Sequence, residues 1–152
     1  MKKIRRNGIC FILSVFLLTL LSGCSTSSSK AFTFSVDTGD SVQVRLVTSD
    51  GYDLSSDVPF VISHEGKTLS QGAFMPRESY EQFVGAIESD ENAVLLDSGT
   101  KDGNDYIFWS YNDSEFDYAI LIDGSNTGIV LGNIVSQESA VECFNRLTVS
   151  AE

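Results

Sequence analysis

The sequence predicts an α+β domain, in which an antiparallel or mixed sheet of about eight short strands carries two helices packed on one face. Two observations lead to this class. Over most of the chain from Ala31 onward, apolar and polar residues alternate in short runs separated by turn signals, which is typical of half-buried strands. Two other segments repeat apolar residues every three to four positions, as amphipathic helices do. A β-sandwich with accessory helices is the alternative architecture.

The first strands are predicted at residues 32–37 and 42–46, where apolar and polar side chains alternate before the turn signal Asp50-Gly51. Residues 59–63 and 68–74 flank a short polar segment and are predicted to form a hairpin. Proline 59 begins its strand, a position that tolerates a missing backbone donor.

Residues 77–89 are predicted to form the first helix, because four apolar residues fall at positions i, i+3, i+4 and i+7. A last helix is predicted at 137–148, with Ser136 as its N-cap. Four strands lie between the helices, and the second and third of them are predicted to pair across an acidic turn. The apolar positions of the first helix are Tyr80, Phe83, Val84 and Ile87, and the four strands are 93–98, 105–111, 117–123 and 129–134.

The amino terminus has the pattern of an export signal. Residues 1–8 contain basic side chains and no acidic one, and residues 9–21 form an apolar run interrupted by Ser14 and Thr19. A basic start, a short apolar core and a small-residue segment occur in this order in secretory signals. The apolar run is too short to span a bilayer, which takes about 20 helical residues.

The string Leu21-Ser22-Gly23-Cys24 resembles the lipobox of bacterial lipoproteins. The resemblance implies that the Cys24 thiol receives a diacylglycerol and that a signal peptidase cleaves between Gly23 and Cys24. The mature protein is then held on the extracytoplasmic face of the cell membrane, since two acyl chains give stable anchoring. The predicted organisation is a signal peptide at 1–23, the lipidated cysteine with a serine-rich tether at 24–30, and one domain at 31–152.

The mature chain is strongly acidic. Four of the ten basic residues lie in the leader, so six basic and 21 acidic residues remain, which is a formal charge of −15. This charge argues against nucleic acid as a partner, because nucleic-acid binding needs a basic face. It favours cations or basic partners, and solubility outside the cell is the alternative explanation.

The sequence predicts no catalytic residues and no cofactor other than the lipid. The chain has one histidine, His64, and three cysteines, of which Cys10 lies in the leader and Cys24 is expected to carry the lipid. These counts exclude a histidine-rich zinc site, and there is no phosphate-binding loop and no nucleophile elbow. Cys143 is interpreted as a small buried apolar residue.

Two segments offer candidate ligand contacts. Asp113, Glu115 and Asp117 alternate, so their side chains point the same way in an extended segment, and they are the oxygen ligands that the sequence offers to calcium. A charged, solvated turn is the alternative. In the densest aromatic run, alternation places Trp109 and Tyr111 on one face, where they would contact a glycan or a protein partner. The alternative is a central strand with both faces buried.

These observations together predict a lipid-anchored extracytoplasmic module of the cell envelope that binds a protein or glycan partner without catalysis. One alternative is a small cell-wall hydrolase that uses a carboxylate pair. Another is a structural or inhibitory lipoprotein, whose signature is a large exposed apolar patch.

Overall fold

A computed structural model describes residues 27–152, and in this part of the chain it contains ten strands and two α-helices. The predictions for Gly23, Cys24 and the rest of the leader lie outside the described residues. The strands are β1 (Ser29–Ser35), β2 (Ser41–Val47), β3 (Tyr52–Leu54), β4 (Phe60–His64), β5 (Lys67–Pro76), β6 (Ala93–Lys101), β7 (Asn104–Tyr111), β8 (Glu115–Leu121), β9 (Thr127–Asn133) and β10 (Leu147–Ala151). The helices are α1 (Arg77–Ser89) and α2 (Gln137–Arg146).

The strands form two antiparallel sheets. The large sheet has the order β3-β4-β5-β9-β8-β7-β6, and the small sheet has the order β1-β2-β10. The predicted hairpins are present as β4–β5 and β7–β8. The α+β class with an antiparallel sheet is confirmed, and the two additional strands are the three-residue β3 and the carboxyl-terminal β10.

The main core lies between the small sheet with α2 and one face of the large sheet. Phe60 of the large sheet, Val44 of the small sheet and Cys143 of α2 are all fully buried. The ring of Phe144 on α2 stacks on Tyr118 of β8, with centroids 4.0 Å apart. Cys143 is therefore the buried apolar residue that the sequence predicted, and its burial raises the pKa of its thiol.

The first helix, α1, covers the opposite face of the large sheet. Tyr80 of α1 packs there with Trp109 of β7 and Ala119 of β8 in a second apolar cluster. The helices therefore lie on opposite faces of the sheet and not together on one face as predicted. The reason is visible in β7, where the consecutive residues Phe108 and Trp109 are both buried, so both faces of the strand need a cover.

The last helix ends at Arg146, two residues before the predicted end. Leu147 continues the apolar stripe of the helix, but it is the first residue of β10 and pairs with Leu46 of β2. The ammonium group of Lys101 donates to the carbonyl oxygens of Phe144 and Leu147, which satisfies the end of the helix. At the other end Ser136 is the predicted N-cap, since its hydroxyl accepts from the backbone N–H of Ser139 at 3.1 Å.

A carboxylate joins the two sheets. Asp40, in the turn between β1 and β2, accepts hydrogen bonds from the Thr127 hydroxyl at 2.7 Å and from the backbone N–H of Asn126 at 2.8 Å. These hydrogen bonds lower the pKa of Asp40. Because Thr127 is fully buried at the start of β9, the contact holds the β1–β2 hairpin against the large sheet.

The first strand starts before the predicted one. β1 begins at Ser29, where it pairs with Val47, three residues before the strand predicted at 32–37. Neither helix within residues 27–152 has the length and apolar character needed to cross a membrane.

Candidate binding groove

A groove of about 300 Å³ lies between the carboxyl-terminal half of α1 and the face of the large sheet that α1 covers. It brings together residues that are far apart in the sequence. Its lining residues are Phe83, Ala86, Ile87 and Asp90 on the α1 side and Ala93, Trp109, Tyr111, Glu115 and Asp117 on the sheet side. Both predicted aromatic contacts and two of the three predicted carboxylates therefore face one groove.

Strand pairing sets the order of these side chains. Trp109 lies opposite Asp117, and Tyr111 lies opposite Glu115, on the paired strands β7 and β8. Side chains of directly opposite residues stand about 5 Å apart on the same face of a sheet. Asp117 and Glu115 therefore each lie beside an aromatic residue.

The aromatic residues differ in their exposure. Trp109 is only 3% exposed and forms part of the groove floor, while Phe83 of α1 is 36% exposed. Their rings meet edge to face with centroids 5.4 Å apart. The interpretation of β7 as a strand buried on both faces therefore applies at Trp109, whereas Tyr111 at the end of the strand is half-buried.

Asp117 is a half-buried carboxylate that belongs to none of the ion pairs of residues 27–152. Its pKa is raised to about 6, chiefly by burial and also by the charge of Glu115, while the backbone N–H of Asn133 opposes the rise by donating to Oδ1 at 3.3 Å. The groove therefore holds a negative charge that the fold does not neutralise at pH 7.

A glycine makes room for this carboxylate. Gly132 of β9 lies opposite Asp117 in the sheet, and a Cβ atom at this position would stand 3.2 Å from Oδ1 of Asp117. That separation is shorter than ordinary van der Waals contact, so a side chain at 132 would require the carboxylate to shift by a few tenths of an ångström. The absence of a side chain at Gly132 thus keeps Asp117 in its place beside Trp109.

Asp117→Asn is expected to stabilise the protein above pH 6 and to have little effect at pH 4. The pKa of Asp117 is about 6 in the folded protein and its ordinary value is 3.8. The unfolded chain therefore ionises first, and this carboxylate lowers stability as the pH rises from about 4 to above 6. After a discount for partial exposure, the gain at pH 8 is about 1–2 kcal/mol, or roughly 5 °C in Tm. Thermal unfolding at both pH values measures it.

The matched control is Asp57→Asn, which removes the same charge from an exposed loop between β3 and β4. Its Tm is expected to change by less than about 2 °C at either pH. An equal gain from Asp117→Asn at pH 4 and pH 8 would contradict the assignment of the effect to the buried charge.

Of the three carboxylates that the sequence offers to calcium, Glu115 and Asp117 line the groove and Asp113 does not. Asp113 lies in the turn between β7 and β8 with φ of 53°, so its direction does not follow the alternation of Glu115 and Asp117 on β8. Within residues 27–152, no group of three or more histidine, cysteine, aspartate and glutamate side chains is arranged to hold a metal ion. Calcium binding stays a prediction.

The side chains of Arg146 and His64 contact other parts of the fold, and these contacts give them a structural role. The guanidinium of Arg146 bonds Glu142 at 2.6 Å and Asp50 at 3.2 Å and stacks over the ring of Tyr52. The Nε2 atom of His64 lies 2.9 Å from the backbone oxygen of Asp50. These contacts fasten α2 and β4 to the turn before β3.

Sequence reasoning missed the α1 side of the groove. It placed Phe83 and Ile87 on the apolar face of the first helix and offered neither as a ligand contact, although both line the groove. A signal was available in Ala86, a small residue beside the apolar positions Phe83 and Ile87, because a short side chain leaves room between a helix and the sheet beneath it. No protein-family model matches the chain, and no curated protein matches it.

The groove and the start of the domain lie on opposite sides of the molecule. Lys30 of β1, Leu46 of β2 and Leu147 of β10 are neighbours across the small sheet, and Lys101 bonds the carbonyl of Leu147. Lys101 stands at one end of the β6–β7 hairpin, and Tyr111 of the groove stands at the other end, about 23 Å away along the strand. The two sites also lie on different faces of the large sheet.

Proposed function

We propose that this protein is a lipid-anchored binding module of the cell envelope and that it binds its ligand in the α1 groove. The observation that carries the proposal is the half-buried, unpaired carboxylate of Asp117 beside the aromatic floor formed by Trp109. A half-buried carboxylate that has no basic partner within residues 27–152 costs stability, so folding alone does not account for it. Concave apolar sites with a few placed polar groups are typical of ligand binding.

The anchoring part of the proposal rests on residues 1–24. The basic start, the short apolar run and the lipobox-like string that ends at Cys24 support attachment by a diacylglycerol. The described domain begins at Ser29, so four residues separate it from Cys24 and reach about 14 Å when extended. Since the groove lies on the side of the domain away from Ser29, it would face the space beyond the membrane.

A ligand that enters the groove is expected to change the fluorescence of Trp109, which is the only tryptophan of the chain. The test is a titration of the full chain in neutral detergent with cell-wall fragments, neutral oligosaccharides, peptides and calcium, read by tryptophan emission and by Tm. A ligand at 100 times its Kd raises stability by about 2.7 kcal/mol, which is a Tm shift of several degrees.

Two variants locate the binding. Phe83→Ala removes a groove side chain and is expected to weaken a true ligand at least tenfold, or by about 1.4 kcal/mol. Val58→Ala removes an exposed apolar side chain, 65% exposed, outside the groove and is expected to leave affinity unchanged. Equal effects of the two variants, or no ligand that changes both emission and Tm, would refute the groove as the binding site.

The carboxylate-pair hydrolase is the second candidate, and one observation favours it. A carboxyl group with a pKa of about 6 suits a general acid, and Asp117 shares the groove with Glu115. Both residues, however, leave β8 in the same direction and stand on one wall of the groove. Glycoside hydrolysis needs carboxyl groups that flank the bond from two sides. Release of soluble fragments from cell-wall polymer that is lost in Asp117→Asn would support the hydrolase over the binding module.

A further inference from the structure

The charge around the groove has one sign. Asp90, Glu115 and Asp117 all line it, and none of the lysine or arginine residues between positions 27 and 152 does. Three of the six basic residues of the mature chain pair with acids elsewhere: Lys30 with Asp53, Lys101 with Asp102, and Arg146 with Asp50 and Glu142. The groove is therefore electrostatically complementary to a cation.

The remaining lining residues of the groove are apolar or aromatic. A bare metal ion does not need such side chains as ligands. Phe83, Trp109 and Tyr111 offer ring surfaces, and Ala86 and Ile87 complete the α1 side. Aromatic rings bind both the charged head of a basic side chain and the methylene stem that carries it. The combination therefore fits a positive group on an apolar stem better than a metal ion.

The surface next to the groove extends toward a free strand edge. Ile87 and Ala93 also line a second depression of about 270 Å³, which continues to Leu95 of β6. β6 is the edge strand of the large sheet, and Val94 and Leu95 are 51% and 55% exposed. A free edge with exposed apolar side chains is a surface that a peptide chain can cover and a small amine cannot.

We propose that the groove receives a lysine side chain from a basic segment of a partner protein, with the ammonium group beside Asp117 and the methylene stem against Trp109 and Phe83. This inference rests on the proposed function, since it names the occupant of the same groove. The partner approaches from the side away from Ser29, so the membrane surface itself is not the occupant. The acidic surface of the mature chain attracts such a segment over a distance of about 8 Å at physiological ionic strength.

The test is a titration of the full chain in neutral detergent at pH 8 with the peptide acetyl-(Gly-Lys)₃-amide, read by Trp109 fluorescence. The expected result is a saturable change in emission. The same peptide with acetylated lysine side chains is expected to bind at least tenfold more weakly. Asp117→Asn is expected to weaken the unmodified peptide at least tenfold, whereas Asp57→Asn, which removes the same charge from an exposed loop, is expected to change its affinity less than twofold.

Each contrary outcome has a distinct meaning. Equal weakening by Asp117→Asn and Asp57→Asn would overturn the inference, because general attraction to an acidic protein would explain the binding. Equal binding of the acetylated peptide would overturn the cationic occupant while leaving the groove as a binding site. Spermidine binding as tightly as the peptide would overturn the protein partner in favour of a small amine. If neither these probes nor the neutral ligands change the fluorescence of Trp109, the proposed function is refuted as well.

Discussion

Asn133→Ala is expected to lower the free energy of unfolding by about 3 kcal/mol, because several buried hydrogen bonds of about 1 kcal/mol each are lost and their partners stay buried. The Asn133 side chain is 1% exposed. It donates to the hydroxyl groups of Ser70 at 2.9 Å and Ser139 at 3.0 Å, and it accepts from the backbone N–H groups of Val135 and Ser136 at 2.9 and 3.2 Å. One amide thus connects β9 to β5 and to the start of α2.

Thermal and urea unfolding of the protein measure this loss, which corresponds to a fall in Tm on the order of 10 °C. Asn126→Ala is the matched control, because the exposed Asn126 uses its backbone and not its side chain in the contacts with Asp40 and Arg77. The control is expected to cost less than about 0.5 kcal/mol. If Asn133→Ala lowers the free energy of unfolding by less than about 1 kcal/mol, water replaces the amide in its hydrogen bonds. The Asn133 side chain would then not be needed to connect β9 to β5 and α2.

Asn133 also helps to position a residue of the groove. Its backbone N–H donates to Asp117, and it follows Gly132, which leaves room for the same carboxylate. The end of β9 therefore supports α2 on one face of the sheet and the groove on the other. Asn133→Asp is expected to destabilise the protein as strongly as the alanine variant, since it replaces two donors with a second negative charge near Asp117.

Local patterns in the sequence predict both helices and eight of the ten strands. The helix predicted at 77–89 has the observed bounds of α1, and alternation located the strands of the β4–β5 and β7–β8 hairpins. These features depend on residues within about ten positions of one another, where periodicity carries the signal.

Features that depend on distant residues were not predictable in this way. The end of α2 at Arg146 depends on the pairing of Leu147 with Leu46 and on the hydrogen bonds from Lys101. Leu46 and Lys101 lie 101 and 46 positions before Leu147 in the sequence, beyond the reach of any local pattern. The placement of the helices on opposite faces depends on which face of β7 each helix meets. Periodicity identifies the two apolar faces of a strand but does not assign a helix to either.

The sequence predicted the part of the candidate site that lies within single strands and not the part that depends on packing between elements. Alternation along β7 and β8 correctly put Trp109 with Tyr111 and Glu115 with Asp117, because each pair lies within one strand. It misplaced Asp113, which lies in a turn at positive φ where strand alternation does not hold. The raised pKa of Asp117 and the α1 wall with Phe83 arise from packing between elements, which a single sequence does not display.

Cys24→Ala is expected to abolish attachment of the lipid and cleavage at residue 23, since a methyl side chain cannot form the thioether that the lipobox resemblance implies. Incorporation of a labelled fatty acid is expected to fall to background, and the mass of the protein should retain residues 1–23. Cys10→Ala is the matched control, because it changes a cysteine within the apolar run of the leader and should leave both readouts unchanged. A Cys24→Ala protein that is still processed and labelled would refute the lipobox interpretation.

In the proposed lipid-anchored form, the acyl chains would contribute about 0.8 kcal/mol per buried methylene to membrane binding, so their loss would remove the main attachment. The chain that would remain after cleavage, with a formal charge of −15 from six basic and 21 acidic residues, would be repelled by anionic headgroups and would offer no electrostatic substitute. The groove lies on the side of the domain away from Ser29. Ligand binding measured at Trp109 is therefore expected to be the same for the Cys24→Ala variant and the anchored protein, which separates the role of the anchor from that of the groove.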